Sequence, residues 1–239
     1  MTGRTSRRFS VLSLLRNVSD PVSDFMNVYT HGPSSGKKPT SLVILLHGYG
    51  SNGEDLIGLA PYWDRDLPDA VFVSPDAPFG CEIGFGYQWF SLQSWAPLSM
   101  LAAAERTAGI LNQFIDDQMK EYGISPSQVA LVGFSQGTMM SLFVAPRRDK
   151  PLAGVLGYSG ALLGGEGLIG QPHVSRMPIH LVHGEMDNIV PVGAWLHATE
   201  TLRQAGFDVS GHTTPGLVHS IDEKGIHEGG EFLKSVLHS

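Results

Sequence analysis

The chain has 239 residues, 42% of them hydrophobic, which suits a globular domain with a sizeable core and excludes a disordered tract. Its formal net charge of −7 argues against a nucleic-acid partner, because an acidic surface repels phosphate backbones. One cysteine, Cys81, rules out an intrachain disulfide and fits a reducing, cytoplasmic setting, and no apolar run reaches the ~18 residues of a membrane span, so stable membrane insertion is not expected.

Residues 1–24 read as a peripheral N-terminal leader. Arg4, Arg7 and Arg8 precede a short apolar stretch that stops at Arg16 with no small-residue cleavage site, which favours a basic, partly mobile leader over a targeting signal. Residues 25–239 read as a single domain. After the loop 32–40, SLVILLHG (41–48) is a continuous apolar run, as in a strand buried on both faces. Similar runs follow in AVFVSPDAP (70–78), QVALVGF (128–134), LAGVLGYSG (152–160) and MPIHLVHG (177–184), and FDVSGHT (207–213) reads as a later, more exposed strand. Helical spacing is clearest over 99–122, where Leu101, Ile110, Leu111, Phe114, Ile115 and Met119 share a face and Gly123 ends the helix. Residues 136–145, 192–205 and 224–238 are further helix candidates. Strand alternating with helix predicts an α/β fold with a mostly parallel central sheet and helices on both faces. The segment 79–98 has no clear period, is rich in glycine and aromatics, and reads as irregular and functional.

Open α/β sheets place their sites beyond the carboxyl ends of the strands. There Gly133-Phe134-Ser135-Gln136-Gly137 spells G-x-S-x-G between a strand and a helix. A nucleophilic serine needs a turn sharp enough to expose its oxygen, and glycine on either side removes the Cβ atoms that would clash. The pentapeptide alone is a weak signal; its place at a strand-to-helix turn makes it specific. A serine hydroxyl also needs a base to take its proton. Of ten histidines, His219 lies in a loop after the last strand and before the last helix, whereas His47 comes too early for the chain order Ser, Asp, His. Asp187 follows the 177–184 strand and is the acid expected to hold His219, with Glu185 as its nearest rival. The oxyanion hole needs two preorganised N–H donors, each worth ~3 kcal/mol of barrier. The amide of Gln136 is one, and that of Tyr49, in His47-Gly48-Tyr49-Gly50, is the other. Phe85, Tyr87, Trp89, Phe90 and Trp95 are the candidates for lining an acyl groove. No H-E-x-x-H or comparable spacing is present, so no metal and no cofactor are expected.

LVILLHGYGSNGEDL, VFVSPDAP, VALVGFSQGTMMSL, PIHLVHGEMDNIVPV and GLVHSID occur in order and at separations that resemble the phospholipase/carboxylesterase family of α/β-hydrolases, which includes the acyl-protein thioesterases. The resemblance runs from about residue 25 to the C-terminus. It implies the α/β-hydrolase fold and a serine carboxylesterase acting on short to medium acyl esters. It also assigns the triad to Ser135, Asp187 and His219 and the oxyanion amides to Tyr49 and Gln136. Some members act on thioesters or lysophospholipids, so an acyl thioesterase or lysophospholipase is the alternative. A non-catalytic binding protein of the same fold is an outlying one. Small acyl esters are the expected partners, and the family is compatible with a homodimer. Many members carry leucine where this chain has Tyr49, which narrows the expected acyl pocket. The 79–98 segment differs from that of the thioesterases, so their protein substrates are not carried over.

Overall fold

The computed structural model describes residues 5–10 and 25–237. Ten strands and six α-helices are present among them: β1 (Thr5–Ser10), β2 (Phe25–His31), β3 (Ser41–Leu46), α1 (Gly53–Leu56), α2 (Ala60–Trp63), β4 (Ala70–Pro75), β5 (Phe79–Gly80), β6 (Tyr87–Gln88), α3 (Pro97–Tyr122), β7 (Val129–Phe134), α4 (Gln136–Val144), β8 (Gly154–Tyr158), β9 (Ile179–Gly184), α5 (Gly193–Gln204), β10 (Val209–Thr214) and α6 (Glu223–Leu237).

The apolar runs become strands because neither face of them meets water. In β3 every residue is buried, and the side chains divide by alternation: Leu42, Ile44 and Leu46 join one core, Val43 and Leu45 the other. The first core is filled from α3, α4 and α5, and the second from α2 and α6, so helices cover both faces of the sheet. The strand order is β1-β2-β4-β3-β7-β8-β9-β10. From β4 to β10 neighbouring strands are parallel, and β1 and β2 add an antiparallel edge.

The six predicted strands and four predicted helices all form, with boundaries shifted by a few residues. Two regions differ from the sequence reading. Residues 5–10 of the leader form the edge strand β1, pairing Thr5 with Thr30 through Ser10 with Phe25. Arg7 reaches α3, where it pairs with Glu121 and hydrogen-bonds Gln118 at 2.7 Å, and Phe9 packs edge-on against Phe114. A short polar strand of this kind carries too little hydrophobic alternation to announce itself; its partners are all distant in sequence. Leader residues 1–4 and 11–24 lie outside the described residues. The segment 79–98 is not irregular throughout either: β5 and β6 form a small antiparallel hairpin, and Tyr87 bridges to Ser51.

Candidate active site

The carboxyl ends of β3, β4, β7, β8, β9 and β10 bring six loops to one end of the sheet, and the predicted site residues lie there. Ser135 sits between β7 and α4 with φ 53° and ψ −115°, a conformation that non-glycine residues rarely hold. The surroundings over-determine it. The Ser135 amide donates to Tyr158 O (2.9 Å), and the Thr138 hydroxyl donates to the same carbonyl (2.8 Å) while accepting from the Tyr158 amide (3.0 Å), which rivets α4 to β8. The glycines of the elbow are required by close approach. A Cβ on Gly137 would lie 1.8 Å from Leu46 O, and one on Gly133 would lie 2.4 Å from Thr138 N. Ser159, at the end of β8, is the only other non-glycine residue with positive φ among those described, and its hydroxyl is buried without a partner among them. It was not singled out from the sequence.

Asp187 and His219 meet. Nδ1 of His219 lies 2.7 Å from Oδ2 of Asp187, while Oδ1 accepts from the amides of Ile189 (2.9 Å) and Val190 (2.8 Å). Burial by itself would raise the Asp187 carboxyl. Hydrogen bonds from His219, Val190 and Ile189 outweigh it and hold the group below the ordinary carboxylate value. An ionised Asp187 places the proton on Nδ1 of His219 and leaves the Nε2 lone pair free to accept one. The His219 ring packs against Phe134, the residue before Ser135, with centroids 4.9 Å apart. Gly184 lets the His219 loop descend onto the end of β9: a Cβ there would meet Leu217 O at 2.3 Å and Val218 O at 2.6 Å. Glu185, the rival acid, is exposed and accepts from the Thr213 hydroxyl at 2.8 Å, so it is engaged away from His219.

His183 supports the acid from behind. It is buried, its Nε2–H donates to Val190 O at 2.7 Å, and the same nitrogen lies 3.4 Å from Oδ2 of Asp187. Burial, as the largest cause, lowers its pKa and keeps it neutral. His47 does the same work for the opposite loop. Its Nδ1–H donates to Gly48 O (2.7 Å) and its Nε2 accepts from the Ala77 amide (2.9 Å), an arrangement that only the neutral ring satisfies. Desolvation again dominates and lowers its pKa.

These contacts position the turn carrying Tyr49. Trp89 Nε1–H donates to His47 O (3.0 Å), and Gly50 N–H donates to Tyr87 O (2.9 Å). The Gln136 side chain joins this turn to the Ser135 turn, with Oε1 accepting from the Trp89 amide and Nε2–H donating to Phe90 O, both at 2.8 Å. The Tyr49 hydroxyl donates to Oε2 of Glu82 at 3.2 Å, tying its ring to the β5–β6 hairpin. Burial raises the Tyr49 phenol.

The aromatic candidates divide. Trp89 and Phe90, 0% and 2% exposed, are core residues under the His47 turn and do not line an open groove. The Trp89 amide and indole and the Phe90 carbonyl hold the Tyr49 and Gln136 loops, and the Trp89 carbonyl accepts from the Thr107 hydroxyl of α3 at 2.8 Å. Tyr87 is half-buried on β6. Phe85 is 67% exposed and lies beside Gly50, whereas Trp95, 54% exposed, stands just before α3. Sequence reasoning missed the other apolar side chains exposed in the loops at this end: Ile83 in the hairpin, Met186 and Ile189 on either side of Asp187, and Val218 beside His219. Each stands in a short irregular loop with no repeating apolar spacing, so no periodicity marks it. Together they give this end of the sheet an apolar surface.

Among the described residues no helix is long and apolar enough to cross a membrane. Residues 33–237 match the family model described as Phospholipase/Carboxylesterase. Acyl-protein thioesterase 1 of Emericella nidulans is 32% identical over 225 residues, covering 84% of this chain and 92% of its own. Among solved structures, esterase PE8 superposes with a TM-score of 0.81 at 37% identity, covering 90% of this chain and 99% of that one. Arabidopsis thaliana SOBER1 gives a TM-score of 0.73 at 26% identity, covering 83% of this chain and 99% of its own.

Proposed function

Since the chain belongs to the phospholipase/carboxylesterase family of α/β-hydrolases and is therefore a hydrolase, we propose that it is a serine carboxylesterase cleaving short to medium acyl esters through an acyl-enzyme intermediate. Ser135 is the nucleophile, His219 the general base and acid, and Asp187 the carboxylate that orients the imidazole. The observation that carries the reading is the 2.7 Å contact of His219 Nδ1 with Asp187, on a ring that packs against the neighbour of a serine held at φ 53°.

The chemistry follows from these groups. The Ser135 oxygen attacks the carbonyl carbon as its proton passes to Nε2 of His219. The carbonyl π pair moves to oxygen, where the amides of Tyr49 and Gln136 receive the charge. Collapse breaks the bond to the leaving oxygen, which takes the proton from His219 and departs as the alcohol. Water then gives a proton to His219 and attacks the acyl carbon, and the second collapse returns the proton to Ser135 and releases the acid. Asp187 stays ionised throughout and stabilises the imidazolium. The exposed Ile83, Phe85, Met186, Ile189 and Val218 favour an apolar acyl group over a charged one.

Thioester hydrolysis uses the same steps with a thiol leaving group. The 32% identity to a protein named acyl-protein thioesterase 1 makes it the second reading. A panel of p-nitrophenyl acetate, butyrate and longer esters, set against acyl thioesters of equal chain length, separates the two. Ser135→Ala is expected to abolish turnover of every substrate and labelling by a fluorophosphonate, with the circular dichroism spectrum unchanged. Labelling of the wild-type chain at a residue other than Ser135 defeats the proposal.

A further inference from the structure

A second cluster of histidines lies on the α6 side of the sheet, apart from the groups assigned to ester hydrolysis. His180 on β9, His212 on β10 and Glu228 on α6 each offer one ligand atom, and these atoms lie within 4.8 Å of one another. The residues are 32 and 16 positions apart in the chain, so no motif links them. His180 is buried and stacks on Phe232 with centroids 5.5 Å apart, which fixes its ring.

The hydrogen bonds around His180 leave one ring nitrogen over. Nδ1 of His180 lies 2.9 Å from the Ser210 hydroxyl oxygen, which in turn lies 3.4 Å from Ile179 O. Ser210 thus engages Nδ1, and Nε2 is the ring nitrogen left over. It is buried, with no hydrogen-bond partner among the described residues. An imidazole held through one nitrogen while the other has no protein partner is how metal-binding histidines are placed, with the hydrogen on the held nitrogen once a cation is bound. Both nitrogens of His212 are likewise buried without an aligned hydrogen bond. Nδ1 stands 2.8 Å from Oε2 of Glu228, but off the hydrogen-bond direction, as when both atoms face a third one. Lys224 lies 3.7 Å from the other carboxylate oxygen and leaves Oε2 free. An ion pair between His212 and Glu228 accounts for two of the three groups and leaves the unpartnered Nε2 of His180 unexplained.

The geometry points to a binding site for a divalent transition cation of the Zn²⁺ class, held by His180, His212 and Glu228. Two imidazoles and a carboxylate suit Zn²⁺, and bond lengths of about 2.0–2.1 Å imply ligand separations of about 3.4 Å in a tetrahedron. The observed separations lie on both sides of that value, with His212 and Glu228 2.8 Å apart and no two ligand atoms beyond 4.8 Å, so small side-chain shifts in both senses reach it. Glu228 is partly exposed, which leaves a fourth position for water. The cation joins His212 of β10 to the second turn of α6, the two elements that flank the loop carrying His219, so it acts as a clamp on that loop.

The test uses the full chain with Zn²⁺ and Co²⁺ as probes. A Zn²⁺ concentration 100-fold above its Kd is expected to raise Tm by roughly 5 °C or more, and Co²⁺ to give a visible d–d absorption. His212→Ala and Glu228→Gln, checked for native circular dichroism, are each expected to lose both signals. His227→Ala, an exposed histidine on the same helix, keeps them, as does His219→Ala. Absence of a Tm shift and of a Co²⁺ band in the wild-type chain overturns the assignment. So does their full survival in Glu228→Gln and His212→Ala, or their loss in His219→Ala alone.

Discussion

Asp187 shows how one side chain is given one task. Each of its oxygens has a defined donor, Oδ1 the two amides that follow it and Oδ2 the His219 ring. Asp187→Asn keeps the volume but replaces an acceptor by an amide that cannot hold the Nδ1–H tautomer. Ester turnover is expected to fall on the order of 10⁴-fold in kcat with little change in KM, measured on p-nitrophenyl butyrate. His183 is a positioning residue, since its effect passes through Val190 and Asp187. His183→Ala strips the buried Val190 carbonyl of its donor and is expected to cost ~1–3 kcal/mol of stability in urea unfolding. A His183→Ala variant as stable as the wild type removes that role.

At the scale of elements, the site depends on close approach between loops that glycine alone permits. Gly184 is the clearest example, because a Cβ on it would collide with Leu217 O and Val218 O, in the two residues just before His219. Gly184→Ala is expected to push that loop outward. The measured result is a kcat loss of at least 10-fold in a chain that still folds, because a misplaced base costs rate before it costs stability. The Gln136 side chain couples two other elements by accepting from Trp89 and donating to Phe90. Gln136→Ala keeps the proposed oxyanion amide but frees the 89–90 segment. Turnover is expected to fall roughly 10-fold or more, with several degrees lost from Tm. Unaltered kinetics in this variant detach the side chain from the site's geometry.

The molecule as a whole keeps several histidines neutral in its interior, and this sets its response to acid. His47 and His183 have pKa values lowered from the ordinary 6.5, chiefly by burial. Above about 6.5 they are neutral in both the folded and unfolded chain and contribute no pH dependence. Below it the unfolded chain takes up their protons and the folded chain does not, so stability falls until the pH reaches the lowered values. Asp187, also lowered, adds its loss only below the ordinary carboxylate value of 3.8. The unfolding free energy is therefore expected to be flat from pH 8 to 7 and to decline toward pH 5 by up to about 1.4 kcal/mol per pH unit for each histidine. Urea titrations across this range check it, with a shallower slope in His183→Gln. A stability that rises on going from pH 7 to 5 contradicts the assignment of His47 and His183 as neutral.

The order of strands and helices, the mostly parallel sheet and the strand-to-helix turn at Ser135 were legible in the sequence. They depend on apolar periodicity and glycine placement, which are local properties. The loops around Asp187 and His219 were found from chain order in the same way, and residues 5–10 were missed because a six-residue polar edge strand lacks that signal. Other features required the folded chain. Only packing buries Trp89 and Phe90 beneath the His47 turn while exposing Phe85, and only loop placement turns Asp187 and not Glu185 toward His219. The same is true of His180, His212 and Glu228, which three separate elements bring together. The division has one physical cause: a residue's own neighbours along the chain determine whether it is in a strand or a helix, but which atoms meet beyond the strand ends depends on long-range contacts that no local pattern encodes.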